Sequence, residues 1–514
     1  MPKDQHLKAI FVICSSFACS IFLTCSKIES SKTDYASSHL LQKLKQAQSH
    51  KEYIKALSII ANEENNNPEI AAEIYFIKGN IYASLNSFED ASVAYSKALQ
   101  IDSSHSYSRN NLSLLLADKG RIQDAINLLS KQTDDPVALS NIALFKIKLG
   151  KYLDAEKMLK EAIRLQPENP KTYQQIGSLL LKLGRQNEAE RAITKSWNLD
   201  STQVESARLM GLLYNNQNDS DRAIFFFKRA ISIDPNHLDS IYNLSMALAK
   251  KGLIAESESF MSKFEKLSVR TTRIAQIRRL LDEQPMATTL RLELATHYLH
   301  LNKIDEAASQ YHTVLANDSL NIESLINLTQ ISIQKNKFDN ARKFSERGIR
   351  NSPNKKETAP LYSSLGYLNL IKGNYTDAEN FIVKSLSFDS TSSEAWNNLG
   401  NVYQAKNRTT TAKRYFNKAL SVDSTNSLAA YNLGVIYYQS NSMEFAKSHF
   451  HKALRADSTY WRAKLALGKI YEQLDSTRTA IKLYKAVHKN KNVDTDVKNY
   501  ALERIDDIQR SILR

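Results

Sequence analysis

Cysteine is almost missing from this chain: the three it has, Cys14, Cys19 and Cys25, all fall within the first 25 of 514 residues. The rest of the chain therefore holds neither a disulfide framework nor a cysteine metal site. Glycine and proline are also scarce, at 13 and 9 residues. So little turn chemistry excludes an all-β fold with many hairpins and points to a mostly helical protein with short connections. No apolar run reaches the ~20 residues a spanning helix needs. No glycine-rich phosphate loop is present. What remains is ordinary globular stuff, 42% hydrophobic and 24% charged, with too much chain for one core. The net charge of +15 is spread among 54 acidic residues, as expected of a solvated basic surface.

The N-terminus reads as an export signal. Lys3 and Lys8 precede an apolar stretch from Ala9 to Thr24, and Cys25 opens a polar stretch, SKIESSKTDYASS. This resembles a bacterial lipoprotein signal, in which the cysteine becomes the lipidated first residue. Phe22 and Thr24 depart from the usual pattern, and Cys19 is a second candidate. The expectation is a signal peptide over 1–24 and a polar tether over 25–36 after a lipidated Cys25. An uncleaved anchor and an ordinary export signal are the other readings. Ser26 after the cysteine points to the outer membrane, facing the periplasm.

The body repeats. SEAWNNLGNVYQAKNRTTTAKRYFNKALSVDS, from Ser393, realigns 34 residues later with SLAAYNLGVIYYQSNSMEFAKSHFHKALRADS, from Ser427, and again from Trp461. Each unit carries glycine at place 8, an aromatic at 11, alanine at 20 and an aromatic at 24. The pattern resembles the tetratricopeptide repeat, a helix-turn-helix unit of this length. Units begin near residues 37, 72, 106, 136, 170, 204, 238, 288, 322, 359, 393, 427 and 461.

The frame absorbs every glycine. Gly79, Gly177, Gly211, Gly366, Gly400, Gly434 and Gly468 take place 8, while Gly120, Gly150, Gly184, Gly252 and Gly373 take place 15, the turn. Gly348 takes place 27. A place-8 glycine implies a close helix crossing, here expected against Ala412 at place 20.

The resemblance implies an all-α, right-handed superhelical solenoid with contacts only between neighbouring repeats. The expected layout is an N-terminal array over 37–267, an extra connecting helix over 268–287 marking a bend, a C-terminal array over 288–490 and a capping helix over 491–514.

In this family the first helix of each unit, at places 2, 5, 6, 9 and 12, lines the inner groove. Asn111, Asn141, Asn243, Asn327, Asn398 and Asn432 fall at place 6, with Gln175 in another unit. This resembles the asparagine ladder in the repeat domain of O-linked N-acetylglucosamine transferases, and implies amides that grip the backbone of an extended peptide. The alternative is a solvated amide, or one bonded to a neighbouring helix. Asn401, Asn432 and Arg462 match part of the carboxylate clamp of chaperone-binding repeats, but Asn397 and Ala466 stand where basic residues belong.

Catalysis has little to rest on. His297 and His300 lie three apart with His312 beyond, and no carboxylate is expected at a ligand-like spacing. Arg270, Arg273, Arg278, Arg279 and Arg291 form the most basic patch, read as a solvated helix face or a contact for anionic lipid or acidic protein. The expectation is a non-enzymatic scaffold at the bacterial cell envelope, binding protein or extended peptide in its groove. It takes no metal, cofactor, small-molecule substrate or nucleic acid, and meets the membrane through its lipid. A self-associating structural component and an accessory subunit of an envelope enzyme, such as a glycosyltransferase, are the alternatives.

Overall fold

A computed structural model describes residues 35–49, 53–63, 67–85, 87–131, 134–351, 355–490 and 493–512. The described residues form 27 α-helices and one 3-10 turn, with no strand. Twenty-six of the helices pair into thirteen antiparallel hairpins, helix A then helix B, in the predicted frame; the last, Thr495–Ile512, caps the C-terminus. The protein is an all-α tetratricopeptide-type solenoid.

Local chemistry sets the ends of each helix. Side-chain oxygens cap several of the A helices: Ser392 Oγ accepts from the Ala395 N–H at 3.2 Å, and Asn426 Oδ1 from the Ala429 N–H at 2.9 Å. Helix A stops at a left-handed residue at place 15. Gly120, Gly150, Gly184, Gly252 and Gly373 have φ of 73–81° there. Asn218, Asn302, Asn336, Asn407, Asn441 and Asp475 occupy the same place with φ of 55–60°. These are the residues whose short polar side chains best tolerate that region. After helix B an aspartate folds the linker back. Asp423 Oδ1, for example, accepts from the Thr425 N–H at 2.8 Å and its hydroxyl at 2.6 Å.

Packing within a hairpin explains the place-8 glycines, with one correction. A Cβ on Gly400 would stand 2.5 Å from Phe416 Cε1, so the obstacle is the place-24 ring and not Ala412. Tyr95, Phe227, Phe450 and Tyr484 play the same part opposite Gly79, Gly211, Gly434 and Gly468. The place-20 alanines, from Ala91 to Ala480, are fully buried and let the helices approach.

The chain divides into two compact units, 1–317 and 318–514. The expected bend over 268–287 is not a separate element: Ile254–Glu283 is one 30-residue helix B. Nothing between Leu253 and Gln284 breaks it, since the stretch lacks glycine and proline, and it ends just before Pro285. Its far half buries Ile274, Ile277 and Leu281. Arg273 ties it to the next helix A through both oxygens of Glu293, at 2.6 and 2.8 Å. That repeat therefore belongs to the first unit, and the division falls one repeat later than expected.

Neighbour-only contact also fails in the first unit. Helix B of the first hairpin, Tyr53–Glu63, packs on the eighth repeat's helix B, Ile304–Asn317. Tyr53 is buried, and its phenol pKa is raised by that burial and by Glu306 and Asp305. Lys119 also reaches Asp282 at 2.7 Å, and the Asn236 amide donates to the Leu301 carbonyl at 2.9 Å.

The second unit stacks five hairpins and closes with the cap. Ala501, Ile505 and Ile508 cover Tyr484 and Val487 of the last repeat.

Candidate functional site

Places 2, 5, 9 and 12 of helix A share the side turned partly away from helix B, although Tyr431 at place 5 still touches the Phe450 ring at 5.5 Å. Neighbouring protein shifts the pKa of charged groups near this side. Glu394, at place 2, is exposed to water, yet its carboxyl pKa is raised by desolvation alone. Asp118, at place 13, is likewise exposed, and desolvation raises its pKa against the pull of Lys148. Half-buried Lys171, at place 2, has its ammonium pKa lowered by desolvation.

The amides do not face outward as free grips. Asn111 Nδ2 donates to Asn80 Oδ1 at 2.8 Å, and Asn141 Nδ2 to Asn110 Oδ1 at 3.1 Å. Asn432 Nδ2 donates to Asn401 Oδ1 at 2.9 Å and to Asn397 Oδ1 at 3.0 Å. Each of these bonds joins one repeat to the one before it. Asn398 is buried and donates to Ser363 Oγ at 3.3 Å, so it is withdrawn from the surface. Asn327 turns back on its own helix, to the Glu323 carbonyl at 2.9 Å. Gln175 Oε1 is buried without a partner among the described residues, and Asn243 is half-buried. Arg462 is exposed, its guanidinium 5.0 Å from the Trp461 ring centre. Cys25 lies outside the described residues. Four of the seven, Asn111, Asn141, Asn398 and Asn432, thus bond to the preceding repeat, which is the second reading of the place-6 amides. The partner amides Asn80, Asn110 and Asn397 were missed; their signal is an amide 31 or 35 residues before each donor.

The histidines also need a correction. A carboxylate does stand beside His297: Glu293 Oε1 is 3.6 Å from its Nε2. That carboxylate is already held by Arg273, which lowers its pKa first among several causes. No group of three or more His, Cys, Asp or Glu side chains among the described residues is arranged to hold a metal. Arg291 likewise leaves the basic patch. It is buried, donating to the Pro285 carbonyl and Gln310 Oε1 at 2.7 Å each, and its pKa is lowered to about 10 by burial.

Sequence reasoning missed a stripe on the second unit. Leu428, Tyr431, Val435 and Tyr438 follow one another at places 2, 5, 9 and 12 of one helix A. Leu428 keeps 46% of its surface exposed, and the other three are half-buried. Tyr431 packs edge-on against Tyr460 at 5.2 Å, and Tyr438 OH accepts from Gln473 Nε2 at 3.3 Å. The signal was the spacing of large apolar residues on the side away from Gly434.

Two family profiles described as tetratricopeptide repeat match the chain, one over 393–426 and one over 72–105, 137–169, 170–203 and 209–237. The chain carries tetratricopeptide repeats. No curated protein matches it. Among solved tetratricopeptide-like structures, the APC/C hetero-tetramer Cut9–Hcn1 is 14% identical, covering 84% of this chain and 96% of that one, with a TM-score of 0.39. Yeast Tom70 is 14% identical over 86% and 96%, at 0.36. Pseudomonas aeruginosa pilF is 15% identical over 42% and 97%, at 0.34.

Proposed function

We propose that this chain is a non-enzymatic protein-binding scaffold, taking an extended peptide or a protein surface on the helix-A side of its tetratricopeptide repeats. The stripe Leu428, Tyr431, Val435 and Tyr438 carries this reading. Large, rigid, partly exposed side chains on one surface are what a binding hot spot is made of. Glu394, one repeat earlier, adds an acid whose desolvation favours a cationic group on the partner. The same reading places the protein outside the cytoplasm, held to the bacterial outer membrane by lipid on Cys25. It rests there on the signal-like sequence before that cysteine. Mass spectrometry of the mature N-terminus checks it, and a chain retaining residues 1–24 overturns it.

A photo-crosslinking residue at position 428, compared in cells with one at exposed position 421, tests the binding face. The expected result is a discrete heterologous adduct at 428 alone, lost in the Tyr431→Ala, Tyr438→Ala variant. Adducts only to a second copy of the chain would establish self-association in its place. Equal labelling at both positions, or none, would remove the proposed face.

A further inference from the structure

The 30-residue helix Ile254–Glu283 is the largest departure from the repeat, and its middle carries charge that the fold does not consume. Ser259, Ser262, Lys263, Lys266 and Arg270 recur at three- and four-residue steps, so they share one helix face with buried Leu267. With Asn236 they line a concavity of about 440 Å³ in the first unit. None of its lining side chains is a carboxylate.

The neighbouring charges are accounted for elsewhere. Glu256, one turn earlier, pairs with Lys228 at 3.3 Å. Glu258 and Glu265 stand at the flank of this face, about 100° from its centre by the helix period, and neither lines the concavity. Asp234 Oδ1 accepts from the Asn236 N–H at 2.9 Å. Arg273 is held by Glu293, and Arg278 donates to Tyr298 OH at 2.8 Å. Lys263, Lys266 and Arg270 have no such partner among the described residues. The Asn236 amide is spent on the Leu301 carbonyl, so it forms a wall and not a donor.

We infer that this concavity binds a phosphate-bearing ligand. Lys263, Lys266 and Arg270 would neutralise the phosphoryl oxygens, Arg270 with a two-pronged donor, while the hydroxyls of Ser259 and Ser262 donate to the remaining oxygens. The phosphoryl group is carried by a soluble phosphorylated compound or by the headgroup of an anionic lipid. The site lies apart in sequence from the apolar stripe, and does not depend on that stripe binding a partner.

The test uses the full chain with two probes. Inorganic pyrophosphate is titrated calorimetrically, and co-flotation is measured on phosphatidylcholine vesicles with and without phosphatidylglycerol. Variants are Lys263→Gln with Arg270→Gln, and a charge-matched control, Arg279→Gln with Lys157→Gln, both exposed residues that do not line the concavity. The expected result is binding to at least one probe, weakened roughly tenfold or more in the first variant and unchanged in the control. Pyrophosphate binding alone identifies a soluble ligand, and dependence on phosphatidylglycerol alone identifies a headgroup. Binding to neither probe overturns the inference, as does equal weakening in the control, which reduces the effect to net charge.

Discussion

Replacing Gly400 by alanine tests the packing argument on which the repeat reading rests, because two effects of opposite sign compete. In an unencumbered helix interior the change gains about 0.8–1 kcal/mol of propensity. Here the new methyl would stand 2.5 Å from Phe416 Cε1, 2.6 Å from Cδ1 and 3.0 Å from Cζ. Carbon atoms rest about 3.5–4 Å apart, so the ring must retreat by about 1 Å. Phe416 is fully buried in one cluster with Ala412, Ala419 and Ala430, and has no room to do so without moving the second helix. Overpacking of this kind costs about 1–3 kcal/mol, which offsets the propensity gain and leaves a net loss of up to about 2 kcal/mol.

A repeat array does not unfold in two states, so the fitting assay is native-state hydrogen exchange read over helices 393–405 and 409–422. Exchange there should quicken, while helices of the first unit stay unchanged. Adding Phe416→Leu removes the ring edge and should recover part of the loss, giving a coupling of about 1 kcal/mol in a double-mutant cycle. Slower exchange in the Gly400→Ala variant, or additivity in the cycle, would refute the crossing argument.

At place 15, Asn407 has φ of 59°; Asn407→Ala should cost about 1 kcal/mol and Asn407→Gly should not, measured by native-state hydrogen exchange over the flanking helices 393–405 and 409–422. Because the place-6 amides bond between repeats, Asn398→Ala with Asn432→Ala should lower stability by about 1–3 kcal/mol; unaltered thermal unfolding would return these amides to the groove. Glu379, bonded to Lys406 and at 2.5 Å to Tyr403 OH, has a carboxyl pKa lowered first by Lys406 and then by Tyr403. Its contribution to stability is present above the ordinary glutamate pKa and lost as pH falls through the lowered one. Tyr403 has the opposite sign: raised to about 12, first by Glu379, its contribution is complete below the ordinary tyrosine pKa and lost as pH climbs through about 12. Glu379→Gln should flatten both ends of the stability–pH profile, and an unchanged acid limb would show the pair to be inert.

What could be read from the sequence was whatever a single hairpin enforces on itself. Glycine at place 8, alanine at 20 and a ring at 24 meet within one hairpin of 34 residues, so their period reports a local steric fact. The turn was only half legible: the glycines of place 15 were seen, but the asparagines that fill the same left-handed position were not, because asparagine also serves at place 6 for an unrelated reason. The closure of the first unit left no trace in the period. Tyr53 against Glu306 and Asp305, and Lys119 against Asp282, join residues many repeats apart, and a rule built on neighbours is blind to them. The amides failed for a subtler reason. An asparagine at place 6 is equally able to donate to a ligand or to the repeat before it, and the choice is made by whether an acceptor stands 31 or 35 residues earlier. Where Asn80, Asn110, Asn397 and Asn401 supply one, the donor is spent inside the array. Asn243, Asn327 and Gln175, at the same place, make no such bond to a preceding amide, so among the predicted amides they are the ones whose replacement bears on binding rather than on stacking.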